Sequence, residues 1–365
     1  FPEYKYNFLN IANVQYQLRD YKSAIENYNK FLSTYTQHWE AREALANSYL
    51  SDGEAQQAIN EYENLYSRFK DYANYGIALF KIKNFEKAAD MLEKAIELDP
   101  DNSSAHISLA LSYQELGKNE LALAQYDVVF RQHPSLHAIR FDYANLLAEM
   151  GKDEAAVENY KIYITNFPDD ARGYQNIGIV YKRLNKLDDT IASFEKALEL
   201  QKDKKDVEIQ EDLAECYHIK KDYASALKYY DEVLLVKKDD YDVRMNKALV
   251  LHAMKNYNEA IAMYTELLNE KESPALQNNL TAALVAQADE YLKAQNYSLA
   301  TEAFERAIQR GTQDSYAYFG LAKAYRACGA NDKATEFYEK AISMDPEKSQ
   351  YSNEFAEFIS ATNMA

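Results

Sequence analysis

The sequence contains few residues in spacings that support catalysis or metal binding. Glycine precedes lysine at residues 117–118 and 151–152, but the glycine that a phosphate-binding loop carries five residues earlier is absent. No HExxH motif or zinc-like cysteine and histidine spacing is present. His218 and His252 lie 34 residues apart, which leaves open either a shared metal ion or two unrelated surface histidines. The sequence therefore predicts a protein that is not an enzyme and that uses no cofactor or metal.

Asparagine is the residue type whose placement suggests a binding surface. Its amide carries both a donor and an acceptor, so it can bond the N–H and C=O groups of an extended peptide without reading the peptide's side chains. The predicted peptide-binding asparagines are Asn10, Asn13, Asn47, Asn74, Asn145, Asn176 and Asn246. Positive charge on the same face is predicted from Arg172, Lys182 and Arg183. The alternative is that these asparagines are ordinary surface residues in an asparagine-rich sequence.

The elements that would position these side chains follow from an internal repeat. A small residue, here called the B-slot, recurs with six of nine intervals equal to 34 residues: Ala24, Ala58, Ala88, Ala122, Ala156, Thr190, Ala226, Ala260, Ala300 and Ala334. A second small residue, the A-slot, precedes each B-slot by twelve residues: Ala12, Ala46, Gly76, Ala110, Ala144, Gly178, Ala214, Ala248, Ala288 and Ala322. Two helices of about a dozen residues that meet at these two slots explain the spacing. Glycines 117 and 151 are expected at positive φ in the turns between them.

Composition agrees with a helical repeat and excludes some classes of partner. Only 9 Gly and 6 Pro occur in 365 residues, which indicates helices joined by short loops. Of 32 tyrosines, 20 lie at repeat positions and are predicted to pack between helices, whereas Tyr6, Tyr16 and Tyr316 remain candidates for contacting a partner. The net charge of -17 disfavours nucleic acid as a partner. No apolar run approaches the roughly 20 residues that direct membrane insertion requires.

The repeat resembles the tetratricopeptide repeat (TPR) family. Each unit has an aromatic or large residue opening the second helix and the B-slot three residues later, and proline follows the second helix at Pro100, Pro134, Pro168 and Pro346. Ten units span about residues 5 to 346. The resemblance implies an all-α fold, a right-handed α-solenoid or superhelix of about ten TPR helix pairs, whose first helices line a concave groove. Residues 347–365 repeat only the first-helix pattern, as a C-terminal capping helix or as the start of a further unit.

Breaks in the regular spacing suggest how the array is divided. The charged run 201–206 predicts a linker between an N-terminal TPR array at 1–200, with repeats one to six, and a C-terminal array at 207–346, with repeats seven to ten. Neutral variation in length is the alternative explanation. The interval of 40 residues before the ninth B-slot predicts an unusually long helix from Ser273-Pro274 to about Gln295.

The resemblance predicts a protein–protein interaction scaffold that binds a peptide or helix of a partner protein in the concave groove. The alternative is a structural protein that self-associates through repeat faces. No three consecutive repeats supply the lysine, asparagine and arginine set with which some family members clamp a carboxyl-terminal tail. Binding of such a tail is therefore not predicted.

Overall fold

The computed structural model describes residues 3–65, 72–202 and 206–363, and within them the chain is helical without strands. The chain divides into two compact units, Phe1–Lys186 and Leu187–Ala365. In both units first and second helices alternate along the chain, as the repeat predicts. The predicted all-α repeat fold is confirmed.

The helices of the first compact unit are short and joined by tight turns. They are α1 (Glu3–Gln17), α2 (Tyr21–Leu32), α3 (Trp39–Asp52), α4 (Ala55–Leu65), α5 (Tyr72–Lys81), α6 (Phe85–Leu98), α7 (Ser103–Glu115), α8 (Asn119–Gln132), α9 (Arg140–Glu149), α10 (Asp153–Asn166) and α11 (Ala171–Arg183). A 3₁₀ turn at His137–Ile139 precedes α9.

The second compact unit continues the pattern and contains the longest helix. Its helices are α12 (Leu187–Gln201), α13 (Val207–Ile219), α14 (Tyr223–Leu234), α15 (Tyr241–Ala253), α16 (Tyr257–Glu270), α17 (Pro274–Lys293), α18 (Tyr297–Gln309), α19 (Ser315–Ala327), α20 (Asn331–Met344) and α21 (Ser349–Asn363). Helix α17 has 20 residues, and the Ser273 hydroxyl caps it by accepting from the Leu276 amide at 3.3 Å. The predicted long helix is confirmed.

The small residues of the repeat lie where helices approach most closely. All twenty A-slot and B-slot residues are buried, including Thr190. At Gly76, an added Cβ would lie 2.6 Å from Leu92 Cγ and 3.2 Å from the carbonyl oxygen of the B-slot residue Ala88. There is thus no room for a side chain at this A-slot, which explains why the spacing of small residues marks the repeat so clearly.

Each turn between a first and a second helix reverses the chain through one left-handed residue, seven positions after the A-slot. The ten residues are Arg19, Gly53, Lys83, Gly117, Gly151, Asn185, Lys221, Lys255, Gln295 and Gly329. The amide of the following residue then bonds a carbonyl five positions back, as Lys118 bonds Tyr113 at 2.8 Å. The expected positive φ at Gly117 and Gly151 is confirmed, while six repeats place a side chain in the same strained conformation.

Tyrosines pack between the helices and also bond neighbouring repeats to one another. Seven tyrosines on second helices are at most 2% exposed: Tyr28, Tyr62, Tyr126, Tyr160, Tyr230, Tyr264 and Tyr338. Another set lies three residues after the A-slot and donates to a glutamate on the preceding second helix, as Tyr113 does to Glu93 at 2.6 Å and Tyr217 to Glu195 at 2.5 Å. The predicted packing role of the repeat tyrosines is confirmed.

Buried apolar residues form clusters of unequal length. In the second compact unit one continuous cluster extends from Ala248 to Phe358 and joins α15 to α21. In the first unit, separate clusters cover Ala46–Leu146, Ala144–Tyr181 and Ala12–Leu45. Tyr351 and Phe358 of α21 are buried in the large cluster, so α21 covers part of α20.

The predicted linker at 201–206 falls partly on residues 203–205, which lie outside the described residues. Helix α12 ends at Gln201, and the Asp206 carboxylate caps α13 by accepting from the Glu208 amide at 3.1 Å. The division into arrays at 1–200 and 207–346 with a segment at 347–365 stays a prediction.

Candidate peptide-binding site

Three predicted asparagines bind the hydroxyl of a buried tyrosine. Each asparagine directly follows an A-slot residue, and its Oδ1 accepts from a tyrosine fifteen residues later, on the second helix of the same repeat. The pairs are Tyr28–Asn13 at 2.7 Å, Tyr160–Asn145 at 2.5 Å, and Tyr62–Asn47. Burial raises the pKa of Tyr28 and of Tyr160 to about 12. These asparagines therefore satisfy a group inside the fold, a role that the peptide-binding prediction did not include.

Two further asparagines extend these pairs across the boundary between repeats. Asn74 donates to Asn47 Oδ1 at 3.1 Å, and Asn176 donates to Asn145 Oδ1 at 2.8 Å. Asn74 and Asn176 each lie two residues before an A-slot, so the same two helical positions produce both contacts. We call each asparagine pair a rung.

The rung formed by Asn145 and Asn176 faces a pocket of about 320 Å³, which Arg183 also lines. Arg183 is held at the pocket edge, because its guanidinium donates to the Ala148 carbonyl at 3.0 Å and to the Asp153 carboxylate at 3.2 Å. Within the described residues, Asn145 Nδ2 and Asn176 Oδ1 make no hydrogen bond. The pocket therefore presents one amide donor and one amide acceptor.

The other predicted residues lie outside this pocket. Asn10 is exposed on α1, Lys182 is exposed on α11, and Asn246 is half-buried on α15 of the second compact unit. Arg172 lies at the start of α11, where it donates to the Asp170 carboxylate at 2.7 Å and lowers the pKa of Asp170 to about 2. The structure thus brings three of the ten predicted residues to one pocket and places Asn47 and Asn74 in a second rung.

The three tyrosines predicted as partner contacts are engaged within the protein. Tyr6 packs on Phe31, with ring centroids 5.3 Å apart, and Tyr16 packs on Tyr21 at 5.5 Å. Tyr316 donates its hydroxyl to Asp289 and lines a second pocket.

This second pocket, of about 540 Å³, lies between α17, α18, α19 and α20. Its lining includes the charged residues Asp289, Lys293, Lys323 and Arg326 together with Tyr316 and Tyr338. The two pockets use related positions on first helices, since Asn145 and Asp289 both follow an A-slot directly. The first pocket combines two neutral amides with the charged residues Arg183 and Glu149, whereas the second is lined by four charged residues.

The fifteen-residue spacing from asparagine to tyrosine is the sequence pattern that indicates which buried tyrosine hydroxyls have an asparagine acceptor. Where the first position is not asparagine, the tyrosine hydroxyl lacks this acceptor. Tyr126 bonds Gln114 instead, at 2.9 Å. Three hydroxyls are buried without a hydrogen-bond partner in the described part of the chain, and their residues are Tyr230, Tyr264 and Tyr338. Glu215, Leu249 and Lys323 occupy the position fifteen residues before them.

The two histidines considered for metal binding pack on tyrosine rings. His218 lies 6.1 Å from Tyr223 and His252 lies 5.7 Å from Tyr257, between ring centroids. Burial lowers the pKa of both histidines. Across residues 3–65, 72–202 and 206–363, no three or more His, Cys, Asp or Glu side chains form a metal-binding group. None of the described helices combines the length and apolarity needed to cross a bilayer.

Comparison with sequence families matches most of the chain to tetratricopeptide repeats. Families described as tetratricopeptide repeat match residues 9–74, 285–349 and 219–284, a TPR repeat family matches 76–117, and the Psidin N-terminal TPR repeats region matches 112–226.

Individual proteins are similar at low identity. The type IV pilus assembly protein PilF of Pseudomonas aeruginosa is 26% identical over 44% of this chain and 64% of its own length. Superkiller protein 3 of Saccharomyces cerevisiae is 24% identical over 84% of this chain, and Hsp70-Hsp90 organizing protein 1 of Glycine max is 26% identical over 52%. The matches span only 20% and 34% of those two relatives. A solved TPR protein fragment from Cytophaga hutchinsonii covers 77% of this chain and 98% of its own, with 18% identity and a TM-score of 0.47.

Proposed function

Since this chain belongs to the tetratricopeptide repeat family, we propose that it is an interaction scaffold that binds a peptide or helix of a partner protein along its first helices. Proteins of this family generally mediate protein–protein interaction. The relatives at 26% identity include one named for organizing Hsp70 and Hsp90 and one named for pilus assembly. Their names support a role in assembling protein complexes as a general class of function. Because a fold does not determine its ligand, the partner of this chain is inferred from its own surface residues.

The rung of Asn145 and Asn176 carries the proposal. Its unused Nδ2 donor and Oδ1 acceptor face the pocket that Arg183 borders. A peptide backbone offers a C=O and an N–H that match this donor and acceptor, whatever its side chains are. The partner segment would thus bind through its backbone at the rung, while neighbouring apolar side chains such as Ile179 provide contact area.

The test begins with a displayed library of random peptides selected on the immobilised full chain. A selected peptide carrying a fluorescent label is then measured by fluorescence polarisation against variants. Asn176→Ala is preferred to a change at Asn145, because Asn145 Oδ1 accepts from both the Tyr160 hydroxyl and the Asn176 amide. Loss of one hydrogen bond predicts binding weaker by about three- to tenfold. Asn60→Ala, at an exposed position on the second helix α4, is the matched control and should bind as wild type. Equal affinity of Asn176→Ala and the control would refute the proposed site.

Self-association is the second candidate, and the exposed face of α1 supports it. Ile11 is 46% and Val14 is 54% exposed. The position of Ile11 holds Leu45 and Leu109 in later repeats, where each is at most 1% exposed. The Val14 position holds the fully buried Leu146 in the fifth repeat. We propose that a second copy of this chain covers the exposed face of α1. Helix α21 supports this, because its Ala356 stands at the position of the A-slot and is exposed, where another helix could pack closely.

Light scattering coupled to size-exclusion chromatography tests this candidate. If copies pair through α1, the mass should rise above 42.1 kDa at micromolar concentration and return to it in Ile11→Lys. Gln57→Lys, at an exposed position on α4, is the charge-matched control. A monomeric mass across the whole concentration series would exclude pairing and leave the groove proposal intact.

A further inference from the structure

A third pocket, of about 570 Å³, lies between α19 and α20 and combines aromatic rings with carboxylates. Its lining residues are Tyr318 on α19 and Glu336, Phe337, Glu339, Lys340 and Ser343 on α20. None of these residues lines the charged pocket of the same helices. The two pockets are therefore separate sites of the second compact unit.

The repeat places this third pocket on a different helix face from the asparagine rungs. The rungs use the positions directly after the A-slot and two residues before it. Tyr318 stands four residues before the A-slot of its repeat. Because each residue turns an α-helix by about 100°, Tyr318 lies about 140° and 160° around α19 from the two rung positions. The pocket is thus outside the first-helix surface to which the proposed function assigns the partner segment.

The aromatic rings of the pocket have no cation of their own. The ring centroids of Tyr318 and Phe337 are 6.4 Å apart, and Tyr325 stacks on Phe337 at 5.7 Å. Elsewhere the chain places its own cations over rings, as Lys333 lies 4.8 Å from the centre of the Tyr325 ring. No lysine or arginine of the described residues lies over the ring of Tyr318 or Phe337. Since the face of an aromatic ring attracts cations, the pocket can accept one from outside the chain.

Glu336 and Glu339 add two carboxylates beside these rings. They are three positions apart on α20 and therefore neighbours on one face of the helix. Both side chains are exposed, and neither forms an ion pair or a hydrogen bond in the described part of the chain. Lys340 also lines the pocket, but its ammonium pairs with no described carboxylate. Two glutamates and one lysine give the lining a formal charge of -1 that no internal ion pair neutralises.

We infer that this pocket binds an arginine side chain of a basic partner protein. A guanidinium is flat, stacks on an aromatic ring and donates two parallel bonds to a carboxylate, so it can contact Tyr318 and a glutamate together. A lysine ammonium is a point charge without a planar group that stacks. The formal charge of the lining matches one cation, and the net charge of -17 attracts a basic partner to the chain. This site is independent of the asparagine pocket.

Two other repeats supply matched control positions. In the ninth repeat, Glu302 has the position of Glu336 and is likewise exposed, but no aromatic residue occupies either ring position. In the sixth repeat, Tyr174 has the position of Tyr318 and is likewise half-buried, but Ala192 stands where the tenth repeat has Glu336. Glu302→Gln therefore removes the same charge without a ring beside it. Tyr174→Leu removes the same ring without this glutamate.

The experiment uses the full chain with fluorescein-labelled (Gly-Arg)₄ and (Gly-Lys)₄ octapeptides. Fluorescence polarisation is measured at about 0.15 M salt, where attraction between distant exposed charges is screened. The arginine peptide should bind more tightly than the lysine peptide. Glu336→Gln and Glu339→Gln should each weaken binding of the arginine peptide by about two- to fivefold. Tyr318→Leu should weaken it by about two- to fivefold and remove the preference over lysine, whereas Tyr318→Phe keeps the ring and the preference. Glu302→Gln and Tyr174→Leu should bind as wild type.

The outcomes separate a specific pocket from general attraction to an acidic protein. Equal affinities of Glu336→Gln and Glu302→Gln for (Gly-Arg)₄ would overturn the pocket, because position would then have no influence. An arginine preference that is as large in Tyr318→Leu as in wild type would overturn the assignment to an arginine side chain. Asn176→Ala should leave (Gly-Arg)₄ binding unchanged, so failure of the asparagine site and failure of this pocket are distinguished by different variants and different peptides.

Discussion

Replacing tyrosine by phenylalanine at one repeat position should change stability in opposite directions in different repeats. Tyr62 and Tyr264 occupy the same position of the second helix and are at most 1% exposed. The Tyr62 hydroxyl bonds Asn47, whereas the Tyr264 hydroxyl has no partner in the described part of the chain. The ring and its packing remain after either substitution. The difference between the two variants thus isolates the hydroxyl group.

The expected magnitudes follow from the bonding of each hydroxyl. Tyr62→Phe loses one hydrogen bond, worth about 0.5–1.5 kcal/mol, and Asn47 keeps its bond from Asn74. Tyr264→Phe removes an unpaired buried polar group that costs about 1–3 kcal/mol, so the variant should be more stable than wild type. The two free energies of unfolding should differ by roughly 2–4 kcal/mol.

Urea denaturation followed by circular dichroism at 222 nm measures this contrast. Tyr62→Phe should lower the transition midpoint and Tyr264→Phe should raise it, with unchanged slopes. Tyr28→Phe and Tyr230→Phe repeat the comparison in a second bonded and a second unbonded repeat. The reasoning would be refuted if all four variants moved the midpoint in the same direction.

Three further predictions concern the turns, the slots and alkaline pH. Lys255→Gly should stabilise the chain by about 0.5–1 kcal/mol, because glycine relieves a φ of 63°; a lower midpoint in urea would contradict this. Gly76→Ala should destabilise it by about 1–3 kcal/mol, since the new Cβ meets Leu92 at 2.6 Å; thermal melting checks the loss. Burial raises the pKa of Tyr28 and Tyr160 from 10 to about 12. The stability that each neutral hydroxyl contributes is therefore complete below pH 10 and is lost between pH 10 and 12, at about 3 kcal/mol for each tyrosine. Absorbance at 295 nm should show these tyrosines ionising only with unfolding, and independent ionisation near pH 10 would contradict it.

The sequence predicts the backbone architecture well because its strongest signal is steric. Two helices can approach closely only where a side chain is missing, so the A-slots and B-slots leave a mark at every repeat. The left-handed turn position is less visible. Glycine marks it at Gly117 and Gly151, but lysine occupies it at Lys221 and Lys255. Helix packing forces the turn in those repeats despite the local preference.

The candidate site is less predictable because its chemistry depends on pairs of side chains. The residue type at Asn145 indicates a polar surface, but only the three-dimensional contact shows that its Oδ1 binds Tyr160 and Asn176. In the same way, the Tyr264 hydroxyl is buried without a partner in the described part of the chain because Leu249 stands fifteen residues earlier, which no single position reveals. Both arrangements depend on the pair of residues fifteen positions apart, not on either residue alone.

The unequal lengths of the buried clusters have a consequence for local opening of the chain. In a repeat protein each element is stabilised mainly by its neighbours, so backbone amides exchange with solvent in cooperative blocks. The continuous cluster from Ala248 to Phe358, spanned at its centre by the 20-residue α17, should exchange as one slow block. Amides of α9 to α11, which belong to the short cluster Ala144–Tyr181, should exchange sooner. The asparagine pocket would then open on a faster timescale than the charged one.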